Sequence, residues 1–248
     1  MHQLTRLLAP ALIMASCGHA VIVDLPAAII GTYNVSFLMG SAPKTLVQSL
    51  LPESYRNSLA RPNSSIYPGL GEDSHPIVFE LGREANAGPP GLSFVSFQEA
   101  KIQIPFVSRV SSSPNTPFLY KQLIMVDEPI NVAGSWSTFG LQTTLNKFTP
   151  ANSSNSSSFD YEVTNVLKAE VMRSSSGVIP VETFQNTARM PWFGNFSTCA
   201  QHFYNFTNPV ERVSGTVTLA QGVSIAVEGI HTVASFRIVG ALSCSMYL

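Results

Sequence analysis

Charged residues are scarce in this chain. Asp, Glu, Lys and Arg make up only 12% of its 248 residues, against roughly a quarter in typical soluble proteins. The net charge is −1, and the basic residues form no block or stripe. The sequence therefore lacks the electrostatic footprint of a nucleic-acid-binding protein. A surface with so few charges needs other polar cover, which the abundant Ser, Thr and Asn residues and attached sugars would supply.

Motifs for metals, nucleotides and activated serine nucleophiles are also missing. The five histidines show no metal-binding spacing, since His2 and His19 lie in the N-terminal segment and His75, His202 and His231 are scattered. No Gly-x-Ser-x-Gly elbow occurs either. Closely spaced glycines such as Gly69 and Gly71 indicate turns and not a phosphate cradle. The sequence therefore predicts neither a metal site nor a bound cofactor.

The N-terminus has the organisation of a secretory signal peptide, which we predict to span residues 1–20. His2 and Arg6 form a weakly basic start, and residues 7–15 form an apolar core. Residues 18–20 then provide a small-x-small cleavage site.

Two alternatives to a cleaved leader follow from the same segment. An uncleaved anchor would continue to Ile30, but Asp24 and Pro26 interrupt it before the ~20 apolar residues that a bilayer span needs. A bacterial lipoprotein would be acylated at Cys17. We favour cleavage, expect no stable membrane span, and predict one domain over residues 21–248.

Glycosylation sequons and an even pair of cysteines agree with a secretory route. Six Asn residues each precede Ser or Thr by two positions without an intervening Pro. They are Asn34, Asn63, Asn152, Asn155, Asn195 and Asn205. Removal of the leader would leave Cys199 and Cys244 in an oxidising compartment, which predicts a disulfide, with two free buried thiols as the alternative. We therefore expect a secreted or lumenal glycoprotein.

Short β-rich segments separated by turns dominate the chain. A first strand is predicted at 29–39, and a short helix at 41–52, where apolar residues recur at helical spacing before a terminating Pro. Further strands are predicted at 77–82, 92–105, 118–126, 161–173 and 213–248. No internal repeat or long linker divides them. The pattern favours a mainly β sandwich or barrel with a few short helices.

Residues 97–147 contain a series of motifs in a recognisable order. An aromatic-x-Glu strand begins at Phe97 and leads to Pro105, a second strand follows, and a Gly-containing segment at 133–145 comes next. This order resembles the acetoacetate decarboxylase-like family. The resemblance implies a β-barrel or cone around a central cavity, and an enzyme that acts on a small oxo-acid or polyketide-like carbonyl compound.

The reactive lysine pair of that family is missing from the matching positions. In the family, the first Lys of the pair forms a Schiff base and the second lowers its pKa, whereas Thr143 and Thr144 stand here. A hydroxyl cannot form an iminium with a ketone. Two other lysines are candidates for the missing amine. Lys121, on an apolar face, is interpreted as a buried or a snorkelling edge residue. Lys147 is interpreted as a solvated loop end, with a three-residue shift toward the turn as the alternative. The sequence therefore predicts the scaffold without Schiff-base decarboxylation.

Strand alternation gives the remaining candidates a common face. Phe97, Glu99 and Lys101 share one side of their strand. The resemblance places Glu99 where the family carries an acidic pocket residue, and a buried Lys101 beside it would complete a catalytic acid/base pair. The alternative is that both side chains point to solvent from an edge strand.

Six residues are predicted to contact the substrate, with anion contacts, aromatic walls and hydroxyl hydrogen bonds as their roles. They are Arg83, Phe97, Trp136, Phe139, Thr143 and Thr144. The predicted function is a secretory-pathway lyase, dehydratase or isomerase that uses acid–base chemistry, of a kind suited to secondary metabolite biosynthesis. The alternative is a non-catalytic glycosylated pocket protein that binds a small apolar ligand.

Overall fold

The computed structural model describes residues 28–92, 95–151 and 159–248. The predicted leader and the sequons at Asn152 and Asn155 lie outside the described residues. Among the described helices, none has the length and apolar character that crossing a membrane requires.

The described residues form twelve strands, three α-helices and two short 3-10 helices. The strands are β1 (Ile29–Pro43), β2 (Ser74–Gly88), β3 (Val95–Ser108), β4 (Pro117–Val126), β5 (Thr143–Leu145), β6 (Phe148–Thr149), β7 (Tyr161–Val163), β8 (Leu167–Arg173), β9 (Pro191–Phe193), β10 (Thr198–Asn205), β11 (Glu211–Leu219) and β12 (Ser224–Ser243). The α-helices are α1 (Lys44–Ser49), α2 (Pro129–Phe139) and α3 (Val181–Ala188), and the 3-10 helices are Glu53–Tyr55 and Cys244–Tyr247.

Seven strands close into a barrel in the order β1, β2, β3, β4, β9, β10 and β12, because β12 pairs again with β1. Their neighbours are antiparallel except for the parallel pair β4–β9. The strands β11, β8, β7 and β6 continue from β12 as a sheet extension, and β5 adds to β4. The predicted mainly β barrel with a few short helices is confirmed.

Two apolar cores occupy the two faces of the barrel strands. Tyr33 and Phe37 of β1 pack inside the barrel. On the outer face, Ala100 and Ile102 of β3 join Val171 of β8 in a second cluster. Burying both faces explains why β3 is almost entirely inaccessible, whereas a typical surface strand alternates between buried and exposed residues. The barrel interior therefore shares its strands with a second core.

Two helices and two barrel strands were missed by the sequence reasoning. The Gly-containing segment 133–145, for which no helix was predicted, forms the end of α2 followed by β5. Local signals for α2 exist: Pro129 opens the helix and the side chain of Glu128 accepts a hydrogen bond from the Asn131 amide. Gly140 ends it in the left-handed conformation at φ 64°. Helix α3 and strands β9 and β10 were likewise not predicted.

The predicted Cys199–Cys244 pair forms a disulfide, which joins β10 to the C-terminal 3-10 helix. Of the sequons in the described residues, Asn63, Asn195 and Asn205 are exposed. Asn34 is half-buried and lies in β1, which pairs with β2 on one side and with β12 on the other.

Candidate active site in the barrel cavity

The barrel encloses a cavity of about 210 Å³. Apolar side chains form most of its wall: Phe97, Ile124, Phe139, Leu141, Trp192 and Ile238. Helix α2 contributes Ile130, Asn131 and Ser135 at one end. The ionisable side chains in the wall come from barrel strands, so a ligand would meet an apolar chamber with a few concentrated charges.

Lys101 is the centre of the charged cluster. Its ammonium lies 2.6 Å from Glu80 Oε1 and 2.6 Å from Glu99 Oε2, and 3.7 Å from Glu84 Oε1. Only 2% of the Lys101 side chain is exposed. The cross-strand pairing of Glu80 with Lys101 explains the first contact, because directly paired residues of neighbouring strands share a face. The alternative in which Glu99 and Lys101 face solvent is excluded by this placement.

Glu80 has its hydrogen-bonding capacity filled by protein groups. Lys101 and the Tyr204 hydroxyl donate to Oε1 at 2.6 and 3.0 Å, and Gln103 Nε2 donates to Oε2 at 2.8 Å. Burial opposes ionisation of Glu80, but the charges of Lys101 and Lys121 and these hydrogen bonds bring its pKa below the ordinary value. Burial likewise opposes the charge on Lys101, yet the three surrounding carboxyl groups raise the pKa of this lysine far above its usual range. Lys101 and Glu80 therefore form a fixed ion pair.

Glu84 and Glu99 form a carboxyl pair beside that ion pair. Burial raises the pKa of Glu84 well above its ordinary value, and the charge of Glu99 and a hydrogen bond with it raise the pKa further. Two carboxyl groups this close retain one proton between them more readily than they ionise together. Both residues line the cavity, so the pair can donate a proton to a ligand or accept one.

The backbone behind this cluster is held by close packing and by hydrogen bonds. Gly82 pairs with Glu99 across β2 and β3, and a Cβ atom at Gly82 would overlap the Asn34 carbonyl oxygen of β1. The Tyr161 hydroxyl lies 2.9 Å from the Gly82 carbonyl oxygen and 3.1 Å from that of Glu99. These contacts fix the strand positions from which the carboxyl pair projects.

Lys121 is a second buried amine in the cavity wall, and its environment differs from that of Lys101. It is 2% exposed, and its ammonium lies 4.5 Å from the centroid of the Trp192 ring. In the described part of the chain, no carboxylate oxygen lies within ion-pair distance of it. Burial and then the charge of Lys101 lower the pKa of Lys121 to about 7, although the carboxylates act in the opposite direction. A large fraction of Lys121 is therefore a neutral amine near pH 7.

A β-bulge turns Lys121 inward. Ile102 pairs with Leu123 and Gln103 pairs with Lys121, so Gln122 is an extra residue in β4. Lys121 and Ile124 consequently both line the cavity, while Leu123 packs against the outer core. Simple alternation would have placed Lys121 and Leu123 on the same face.

His202 adds a neutral imidazole to the same wall. Its ring stacks on Tyr204 with centroids 5.2 Å apart and lies 5.5 Å from the Trp192 ring. Burial, followed by the charges of Lys121 and Lys101, keeps the pKa of His202 well below its usual range. It therefore contributes no positive charge to the cavity near neutral pH.

The structure brings together four of the predicted site residues and separates the others from them. Glu99, Lys101, Phe97 and Phe139 line the cavity. The lining residues do not include the other four predicted residues, which are Arg83, Trp136, Thr143 and Thr144. They do include Glu84 and Lys121, to which the sequence reasoning assigned no catalytic role.

Each of those four residues lies elsewhere for a local reason. Arg83 alternates with the inward Glu84 along β2, and Trp136 is 52% exposed with its ring 5.7 Å from that of Phe196. Thr143 and Thr144 belong to β5, where they pair with Ile124 and Met125 beside the barrel. Lys147, the other amine considered, is exposed.

The chain, with its closed seven-stranded barrel, has the acetoacetate decarboxylase-like fold. Acetoacetate decarboxylase from Legionella pneumophila superposes with a TM-score of 0.55 at 13% identity, covering 94% of this chain and 98% of that one. The enduracididine biosynthesis enzyme MppR, complexed with the condensation product of pyruvate and imidazole 4-carboxaldehyde, superposes at 0.54 with 15% identity, covering 88% and 89%. An acetoacetate decarboxylase-like enzyme from Sphingomonas wittichii RW1 superposes with a TM-score of 0.53 at 10% identity, covering 88% of this chain and 93% of that one.

No protein-family model and no curated protein sequence matches the chain. The likeness is therefore one of fold, and it confirms the fold that the motif order in residues 97–147 predicts.

Proposed function

We propose that this chain is a lyase-type enzyme that binds a small carbonyl compound in the barrel cavity and activates it as an iminium on Lys121. The observation that carries the proposal is a buried amine with a pKa of about 7 and no carboxylate partner in the described residues. A neutral amine is the nucleophilic form, and desolvation beside another cation is a recognised way to obtain it near neutral pH. The solved structures with this fold include an acetoacetate decarboxylase and the enzyme MppR complexed with the condensation product of pyruvate and imidazole 4-carboxaldehyde.

The proposed reaction begins with attack of Lys121 Nζ on the carbonyl carbon. The carbonyl oxygen takes up protons and leaves as water, with one of the protons supplied by the Glu84–Glu99 pair. The nitrogen is then a positively charged iminium, which acidifies the neighbouring carbon. The ionised carboxyl pair accepts the proton from that carbon and leaves a neutral enamine. Later bond cleavage, elimination or reprotonation would start from this enamine.

Glu99 keeps its predicted acid/base role in this proposal, whereas Lys101 acts as a positioning residue. The pKa of Lys101 is raised far above its usual range by its carboxyl neighbours, so it holds the carboxylates in place and does not react. The proposal departs from the sequence-based prediction that Schiff-base chemistry is absent. The reason is that Lys121 reaches the cavity from a different strand than the one carrying Thr143 and Thr144.

Hydrogen–deuterium exchange on a simple methyl ketone tests the proposed function. In D2O, the protein should catalyse exchange of the α-protons of 2-pentanone, followed by NMR, because reversible enamine formation releases them to the carboxyl pair. Glu99→Gln should slow this exchange by about 10²–10⁴-fold, the usual contribution of a general base. Glu162→Gln, at an exposed position on β7, serves as the matched control and should leave the rate unchanged.

The largely apolar cavity wall favours one alternative, a non-catalytic protein that binds a small apolar ligand. That alternative predicts saturable binding of the ketone with no exchange above the uncatalysed rate. Such a result would exclude the proposed enzyme.

We also propose a secretory location for the mature protein. The predicted leader, the exposed sequons at Asn63, Asn195 and Asn205 and the Cys199–Cys244 disulfide support it. Protein recovered from the medium of eukaryotic cells should increase in electrophoretic mobility after peptide N-glycosidase treatment. Retention of the protein in the cytosol, or an electrophoretic mobility that peptide N-glycosidase does not change, would contradict this location.

A further inference from the structure

The cavity has few positive charges available to a ligand. Among the described residues that line it, the cationic side chains are Lys101 and Lys121, and no arginine contributes. Lys101 is already engaged by three carboxyl groups at 2.6, 2.6 and 3.7 Å. Lys121 must be neutral when it attacks a carbonyl. A carboxylate group on the substrate would therefore find no free cation before the reaction begins.

The charged cluster is also unbalanced. The Glu84–Glu99 pair retains one proton and Glu80 is ionised, so the three carboxyl groups together contribute two negative charges and Lys101 contributes one positive charge. One negative charge is left in excess. The apolar side chains around the cavity reduce the screening of that charge, because electrostatic interactions strengthen as the local dielectric constant falls.

We infer that the cavity selects uncharged ketones or aldehydes over carbonyl compounds that carry a carboxylate. The inference rests on the proposed iminium chemistry at Lys121 and narrows its substrate class. An uncharged carbonyl compound acquires one positive charge when it condenses with Lys121. Once the Glu84–Glu99 pair has regained from solvent the proton that it supplied, this charge balances the excess negative charge of the cluster. An oxo-acid would bring a further negative charge. Its initial binding would increase the excess negative charge in the cavity, and its iminium complex would still carry one negative charge in excess.

A matched pair of small ketones tests this selection. The probes are 4-oxopentanoate and its methyl ester, which share the ketone and differ in the charge of the far end; neither readily loses carbon dioxide. Each is incubated with the protein and cyanoborohydride at pH 7.5, and the reduced adduct on Lys121 is quantified by peptide mass spectrometry. The same pair reacted with glycinamide corrects for the intrinsic reactivity of the two ketones.

After that correction, the ester should be trapped about tenfold faster or more, since one unscreened like charge within the cavity is worth at least this factor. Glu80→Gln removes one negative charge and leaves the Glu84–Glu99 pair intact, so it should narrow the preference, whereas the exposed Glu162→Gln should not change it. Equal trapping of the two ketones, or faster trapping of the acid, would overturn the inference while leaving iminium formation intact. Failure of both ketones to form an adduct would overturn the proposed function itself.

Discussion

Replacing Lys121 with Met is expected to abolish borohydride trapping of a ketone and, in the same protein, to increase the stability of the fold. Trapping stops because the variant lacks the amine that forms the iminium. Stability rises because the folded protein no longer has to accommodate a buried ammonium group whose pKa falls from 10.5 to about 7. A shift of that size corresponds to roughly 3–5 kcal/mol of unfolding free energy.

The pH dependence of this gain has a defined sign. The unfolded chain keeps the Lys121 proton up to about pH 10.5, whereas the folded chain loses it near pH 7. The unfolded state therefore binds more protons between these values, and this lysine makes the wild-type protein more stable as pH rises through that window. The advantage of Lys121→Met should consequently be largest at and below pH 7 and decline toward pH 10.5.

Urea unfolding at pH 6.5 and pH 9, together with mass spectrometry of the trapped adduct, checks both parts of this prediction. Lys147→Met is the matched control, because Lys147 is exposed and its removal should change stability by no more than ~0.5 kcal/mol. The control should keep full trapping. Undiminished trapping in Lys121→Met, or a loss of stability there, would contradict the role assigned to this lysine.

Replacing Lys101 with Met should have the opposite effect on the fold. It leaves Glu80 and Glu99 buried without the ammonium that lies 2.6 Å from each of them. Removing one partner of a buried ion pair typically costs about 3–5 kcal/mol. The loss should be largest near pH 7 and shrink as pH falls toward 4–5, because protonation removes the unpaired charges while wild-type Glu80, with its lowered pKa, stays ionised.

The exposed pair Lys168–Glu170 offers a control with the same separation. Its N···O distance is also 2.6 Å, but 55% and 61% of its side chains are exposed. Lys168→Met should therefore leave the urea midpoint unchanged, since solvent screens exposed pairs. Similar midpoint shifts in the two variants would mean that the Lys101 cluster is not the buried ion-pair centre described above.

The sequence was sufficient to place Glu99 and Lys101 together, because strand alternation puts residues two apart on one face. The sequence also contains a signal for the two further carboxyl groups. Glu80 lies in the predicted strand 77–82, and Glu84 lies two residues beyond its end, within the observed β2. Both flank Gly82 at intervals of two, which directs them toward the same face as Glu99 once β2 pairs with β3. The predicted site contained Arg83 and neither of these two residues, although alternation points Arg83 the other way.

Lys121 was harder to predict for two physical reasons. The bulge at Gln122 changes the alternation of β4, and no local signal in the sequence shows that an extra residue stands there. The lowered pKa of Lys121 also depends on burial and on Lys101, which lies in β3. A property that arises from closing a barrel around two amines cannot be read from either strand alone.

Direct titration of Lys121 is the measurement that decides whether the cavity holds a neutral amine. In protein labelled with 13C- and 15N-lysine, the Cε and Nζ shifts of Lys121, assigned by their loss in Lys121→Met, can be followed from pH 5.5 to pH 11. The structure predicts a midpoint near 7. A midpoint at the ordinary lysine value of 10.5 would contradict it, since Lys121 would then be an ammonium at neutral pH and could not serve as the nucleophile.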